Sequence, residues 1–218
     1  MNTDAFTPDR LLAALTGYII VIISLSAHEW GHAYAASKLG DDTARQMGRV
    51  SFNPLAHIDL VGTVLIPLFA LFSGYPVVGW AKPVLVNPAN LRTNAARSLV
   101  TIAGPAMNFL LALAAAIALG LVARHMHAAT GYAARILIIN IGLMTFNLLP
   151  VPPLDGSKFL MYWLGMSGRA YNALSRYGWF ILMALFYIPA TSGWLGQLIQ
   201  WVTLPFLEIA RFLAQTLP

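Results

Sequence analysis

The apolar run from Leu11 to Ala36 leaves a chain of this kind little choice. It is long enough to cross a lipid bilayer as one helix, which takes ~20 residues. In its last third it carries His28-Glu29-Trp30-Gly31-His32. On a helix, positions i and i+4 share a face. Both imidazoles of this H-E-x-x-H pattern therefore reach one Zn²⁺, and the Glu between them is placed to act as general base on a metal-bound water. Hydrolytic chemistry within a lipid span implies a substrate that also lives in the membrane.

Composition points the same way. Of 218 residues, 58% are hydrophobic and 10% charged, against about 25% charged in soluble domains. No large soluble domain fits beside several spans in this length. No signal-peptide cleavage pattern follows the first span, which is expected to be retained. The chain has no Cys, which excludes disulfides, thiolate zinc ligands and a cysteine nucleophile. Its formal charge of +5 lies between the apolar runs, as topology determinants and headgroup contacts do. The expected partner is the lipid bilayer, not nucleic acid.

Further apolar runs follow. Ser98 to Ala123 and Ala133 to about Leu149 read as spans, and Gly178 to Leu213, interrupted by Pro189, Ser192 and Gly193, reads as two helices. Leu60 to Phe72 holds Pro67 and falls short of the ~20 residues a span needs. Arg49 to Pro54 alternates like a short strand, and Tyr75 to Val86, rich in Val, Pro and Gly, reads as extended chain or a hairpin. Lys158 to Tyr177 reads as a polar connection. The expectation is an all-α polytopic membrane protein with about five to six transmembrane helices. A short re-entrant or interfacial β-containing segment follows the first metal-ligand helix. Residues 1–218 form one membrane-embedded domain, with its core at 11–160 and additional helices at 178–215.

Two His make an incomplete site, since catalytic zinc usually has three protein ligands and one open position. No His follows His127, and Glu208 is the only acid after Asp155. Asp155 stands at the end of a span, after Pro152-Pro153 and before Gly156, where the helix opens. An intramembrane acid is a functional candidate by default. If Asp155 is the third ligand, its helix and the His28 helix run the same way across the membrane, because both carry their ligand near the C-terminal end. The span 98–123 then runs opposite, and a single crossing at 60–72 is forbidden. Charge agrees: Lys38, Arg45, Arg49, Lys82, Arg92, Arg97, Lys158, Arg169 and Arg176 share the metal side, against Arg10, Arg124 and Arg135. The positive-inside rule makes the metal side cytoplasmic.

Three elements together resemble the site-2 proteases, a family of intramembrane zinc metalloproteases. They are the H-E-W-G-H, Ala103-Gly104-Pro105-Ala106-Met107-Asn108, and Asn147-Leu148-Leu149-Pro150-Val151-Pro152-Pro153-Leu154-Asp155-Gly156. The stretch from Gly40-Asp41 through Asn53-Pro54-Leu55, His57-Ile58-Asp59 and Gly79-Trp80-Ala81-Lys82-Pro83-Val84 is similar to the compact prokaryotic branch, which lacks PDZ and CBS domains. The resemblance implies one Zn²⁺ per chain on His28, His32 and Asp155, with Glu29 as catalytic base. It implies that Asn147 binds the substrate peptide or the developing oxyanion, and that Gly104 and Asn108 pack against the site. The implied activity is hydrolysis of peptide bonds within or near transmembrane segments, in regulated intramembrane proteolysis or signal-peptide clearance. The implied location is a prokaryotic inner or plasma membrane, multi-pass, with the active site toward the cytoplasm. An exposed strand edge in 75–86 is expected to hold the unwound substrate by strand addition, so that Val84→Pro weakens cleavage and spares zinc.

Rival readings are weaker. Gly165-Met166-Ser167-Gly168 has the look of a rhomboid serine protease, but no His base follows on a later span. A zinc transporter would show several metal sites along a pathway. A non-catalytic relative that holds membrane clients is the other alternative, and against it all three ligands and Glu29 are intact. His57 and Asp59 read as a neighbour and an N-cap of the following segment, and His125 and His127 as loop residues.

Overall fold

A computed structural model describes residues 7–68 and 80–216. Helix α1 spans Pro8–Lys38. Pro8 fits the first turn, where no N–H partner is needed; Asp9 there and Lys38 in the last turn both oppose the helix dipole. Gly40 ends the run with φ +107°, a backbone angle that L side chains rarely adopt. A single turn, α2 (Thr43–Gln46), follows. Helix α3 (Asn94–Val122) starts at Thr93, whose hydroxyl accepts from Ala96 N–H, the usual N-cap device. Helix α4 is His127–Asn147. Short helices α5 (Lys158–Trp163) and α6 (Gly168–Arg176) lie within the stretch expected to be a polar connection. Helices α7 (Gly178–Tyr187) and α8 (Pro189–Thr216) are bent 80° against each other, at the proline that the sequence places there.

Among the described residues, three helices are long and apolar enough to cross a membrane, four if the bent α7–α8 pair is one span. This is fewer than the expected five to six. α7 is too short to cross unaided, and the helical turns over the described residues 60–68 do not make a span of their own. No strand occurs among the described residues. Residues 51–53 form no ladder; they lead into a 3-10 turn, Pro54–His57, which Asn53 caps through Leu55 N–H. A strand needs a partner at ladder distance, and none lies there. Part of the extended run expected over 75–86, residues 75–79, lies outside the described residues.

The core is built on small residues. Ala112, Ala115 and Ala116 of α3 pack on Leu137 and Ile141 of α4 and Phe206 of α8. Small side chains let apolar helices approach closely where lipid offers no hydrophobic drive to pair them. At Gly120 an added Cβ would sit 2.7 Å from Ala210 O.

Helix directions follow from paired residues. His32 meets Val100 and Ser24 meets Asn108, so α1 and α3 are antiparallel. Arg135, in the first half of α4, donates to Ala13 O near the start of α1, so α1 and α4 run the same way. This is the parity that a shared metal site requires. Trp80 N–H donates to Gly62 O and Thr63 Oγ1 to Trp80 O. The chain is thus back beside residues 62–63 when it reaches residue 80. Tyr18, deep in α1, donates its hydroxyl to Thr63 O.

Candidate metal centre

Helix α1 supplies His28 and His32, one turn apart. Asp155 arrives from the other end of the core by a sharp reversal. After α4 the chain turns through Leu148–Leu154 into a 3-10 turn, Asp155–Ser157. Gly156 makes that reversal possible: a Cβ there would lie 2.1 Å from Leu148 O. Ser157, fully buried, donates its hydroxyl back to Leu154 O at 2.5 Å.

His28, His32 and Asp155 are 3%, 6% and 6% exposed. His28 Nε2 lies 3.1 Å from Asp155 Oδ2, His32 Nε2 lies 3.0 Å from the same oxygen, and the two Nε2 atoms are 3.0 Å apart. It is the one such group of three His, Cys, Asp or Glu among the described residues.

The outer ring nitrogens decide what this triangle can hold. His28 Nδ1 is 2.7 Å from Asn108 Oδ1, and His32 Nδ1 is 2.7 Å from Val100 O. Asn108 spends its amide N–H groups on Ser24 O and Asn140 Oδ1, so its Oδ1 is an acceptor, as is a carbonyl. Both Nδ1 atoms therefore carry the proton. In its neutral form each ring would then turn an Nε2 lone pair inward, toward Asp155. Two ring nitrogens and a carboxylate oxygen packed this closely call for a positive charge between them, which a metal ion would supply. Two imidazoles and one carboxylate form a zinc donor set. A tetrahedral ion with bonds of about 2.0–2.2 Å separates its donors by roughly 3.3–3.6 Å, so the triangle needs to open by only a few tenths of an ångström.

Two neighbours shape the centre further. Lys158 Nζ lies 2.7 Å from Asp155 Oδ1, which leaves Oδ2 alone to face the histidines. Gly104 brings the α3 backbone onto the imidazoles: a Cβ there would be 2.3 Å from His32 Nε2 and 2.6 Å from His28 Nε2. Gly31, within the H-E-W-G-H, does the same for helix approach, with an added Cβ 2.5 Å from Ala103 O.

Glu29 is half-buried beside the centre, and its Oε2 accepts the Val84 backbone N–H at 2.7 Å. Asn147 sits in the last turn of α4, half-buried, and donates one amide N–H to Leu143 O at 2.9 Å. His57 is buried, with Nε2 2.8 Å from Ser51 O, and is not one of the three clustered ligand residues. Asp59 caps the following turn through Val61 and Gly62 N–H, as its position in the sequence predicts. Two contributors escaped the sequence reading. Asn140 is a polar residue in the middle of an apolar span, a signal as strong as the one that singles out Asp155. Lys158 lies three residues after Asp155, one helical turn away.

The sequence profile of peptidase family M50 matches residues 16–135 and 122–188. The chain is 35% identical over 218 aligned residues to a Bacillus subtilis (strain 168) protein named "Putative zinc metalloprotease YwhC", covering 93% of each. It is 29% identical over 201 residues to "Putative zinc metalloprotease Rip2" of Mycolicibacterium smegmatis, covering 88% of this chain and 76% of that protein. The Mycobacterium tuberculosis H37Rv protein of the same name is 28% identical over 183 residues, covering 83% of this chain and 70% of that one. No solved structure matches the chain.

Proposed function

The chain belongs to peptidase family M50, the site-2 proteases, and on that premise we propose that it is an intramembrane endopeptidase that cleaves peptide bonds within or near transmembrane segments of its substrates. His28, His32 and Asp155 hold one Zn²⁺, and Glu29 is the base. The observation that carries this reading is the convergence of three buried ligand atoms, His28 Nε2, His32 Nε2 and Asp155 Oδ2, within 3.0–3.1 Å of one another.

When bound, Zn²⁺ supplies Lewis acidity, bringing the pKa of a water toward about 7 and polarising the scissile carbonyl. The side chains do the rest. Lys158 keeps Asp155 on one oxygen, so the protein provides three donors and leaves a fourth position open. Glu29 holds the Val84 N–H on Oε2 and takes the proton of the attacking water on Oε1. It then delivers that proton to the leaving nitrogen as the C–N bond breaks. Asn147 uses one N–H on Leu143 O; its other N–H is the donor assigned to the oxyanion that develops on the carbonyl. A helical substrate hides its carbonyls in i→i−4 bonds, so it must unwind before it reaches this centre.

The chain works as one membrane-embedded domain over 1–218, multi-pass in a prokaryotic cell membrane. Tyr18 meets Thr63, and Trp80 lies beside Gly62, which supports the reading that no single crossing separates residues 60 and 80. The metal end of the bundle carries most of the Lys and Arg, which supports a cytoplasmic-side centre. Regulated intramembrane proteolysis and signal-peptide clearance are the roles this activity fits.

Two variants test the reading. Asp155→Ala is expected to lose the zinc that the wild-type chain holds at about one per chain. Glu29→Gln is expected to keep zinc and lose about 10²- to 10⁴-fold in cleavage of a transmembrane substrate. Full cleavage by Glu29→Gln would remove the proposed base.

A further inference from the structure

Resting on the metal centre proposed above, we infer that Asn140 is a positioning residue: it fixes which way the Asn108 carboxamide points, and through Asn108 it sets the metal-binding tautomer of His28.

Asn140 and Asn108 are both fully buried, one on α4 and one on α3. Asn140 Nδ2 donates to Ile136 O, one turn back in its own helix, at 2.9 Å. That commits its Oδ1 to the α3 side, where it accepts Asn108 Nδ2 at 3.0 Å. The other N–H of Asn108 reaches Ser24 O at 3.3 Å. With the amino end held by α4 and α1, Asn108 Oδ1 faces His28 Nδ1 at 2.7 Å.

The direction matters because a carboxamide has two ends of nearly equal shape and opposite polarity. Reversed, Asn108 would press an NH₂ group against His28 Nδ1. The ring proton would then move to Nε2, which is the atom that must offer a lone pair to the metal. A buried donor facing a donor is costly. Ser24 O is a helix carbonyl at 3.3 Å, the longer of the two contacts that hold the amino end. Asn140 Oδ1 makes the shorter one and so sets the choice. The relay runs Ile136 O, Asn140, Asn108, His28, across three helices, and every group in it has one allowed orientation.

A plain interhelical hydrogen bond between α3 and α4 would also bury these residues, and the two roles separate in a double-mutant comparison. The readout is zinc affinity of the purified full chain in detergent, by competition with a chelator, for wild type, N140L, N108D and N108D/N140L. N140L is expected to weaken zinc binding by about 10- to 100-fold, as loss of an outer-shell partner does. A carboxylate at 108 can accept from His28 Nδ1 through either oxygen, while its other oxygen faces Ser24 O and Asn140 Oδ1 as an acceptor against acceptors. N140L is therefore expected to cause no further loss of zinc affinity in the N108D background, and to relieve that repulsion.

Zinc affinity of N140L equal to wild type overturns the relay. So does an equal loss from N140L in both backgrounds, which is the mark of packing alone. If N140L by itself does not fold, N108D against N108D/N140L still decides, since a loss of about tenfold on adding N140L overturns the relay and equal or higher affinity supports it. Wild-type chain that takes up no zinc overturns the metal centre itself and the relay with it, a result distinct from the others.

Discussion

Val84 donates its backbone N–H to Oε2 of Glu29 across 2.7 Å. The bond is one of a series. Trp80 N–H goes to Gly62 O, Lys82 N–H to His57 O, and Val84 N–H to Glu29. Every second residue turns inward, as extended chain requires. The edge that faces outward belongs to Ala81, Pro83 and Leu85, and Pro83 has no N–H to offer. The Val84 amide is therefore tied to Glu29, the proposed base, and is not itself free to pair with a substrate strand.

This tie changes what Val84→Pro should do. Loss of a docking edge raises KM, whereas a misplaced base lowers kcat. We expect Val84→Pro to lower kcat by about 10- to 100-fold, with zinc retained and KM little changed. Val84→Ala, which keeps the N–H, should stay near wild type. Equal kcat for the two variants would end the role of this bond.

Gly104 is the only residue type that fits against the two imidazoles. Gly104→Ala places a Cβ 2.3 Å from His32 Nε2, and overpacking of this kind costs about 1–3 kcal/mol. Thermal unfolding in detergent should show that loss, together with reduced zinc content. Gly142→Ala, with nothing within 4 Å of its added Cβ, is the control and should leave both unchanged.

Lys158 decides how Asp155 presents itself. With Nζ on Oδ1 at 2.7 Å, one carboxylate oxygen remains for the metal. Lys158→Met frees the second oxygen, and X-ray absorption of the zinc-loaded protein should then show more oxygen neighbours than in wild type. Zinc affinity should fall by about tenfold, as for an outer-shell partner. Lys158→Arg should preserve both. An unchanged absorption spectrum in Lys158→Met would remove this role.

Asp41 ties the loop after α1 to the turn at 87–90, accepting from Thr43 N–H, Asn87 N–H and Asn90 Nδ2. Burial pushes its carboxyl up, but the hydrogen bonds from Thr43, Asn90 and Asn87 more than reverse this and hold it below its ordinary value of 3.8. A carboxyl lowered in the folded state adds stability above its unfolded value and loses it as pH falls through the folded one. Amide-exchange protection at Thr43 and Asn87 should therefore hold at neutral pH and decline below about pH 4. In Asp41→Asn it should be weaker throughout and flat over that window. A wild-type profile as flat as the variant's would remove Asp41 as the cause.

Much of the site was legible along the chain because its signals are local. His28 and His32 are one helical turn apart, so their convergence needs only a helix. Asp155 declares itself by the prolines before it and Gly156 after it. The requirement that these ligands meet predicted that α1 and α4 run parallel with α3 between them, and His32–Val100 and Arg135–Ala13 show those directions. The strand expected at 49–54 was not found, because alternation records only which faces differ and pairing depends on a neighbour that sequence spacing does not supply. Asn108 reads in sequence as a packing residue. Its acceptor role toward His28 spans 80 positions, beyond the reach of any spacing argument.

The sequence by itself determined the apolar helices, the chemistry of their ligands and the family to which they point, since residue type and helical period carry all three. Only the tertiary structure decided which polar atoms face one another at the centre. Which nitrogen of each imidazole faces Asp155, which oxygen of Asp155 is free and which amide is tied to Glu29 depend on Asn108, Asn140, Val100, Lys158 and Val84. Several of these come from helices and loops far along the chain, and in a buried site with few waters a hydrogen bond's direction is set by whatever group the fold brings opposite it.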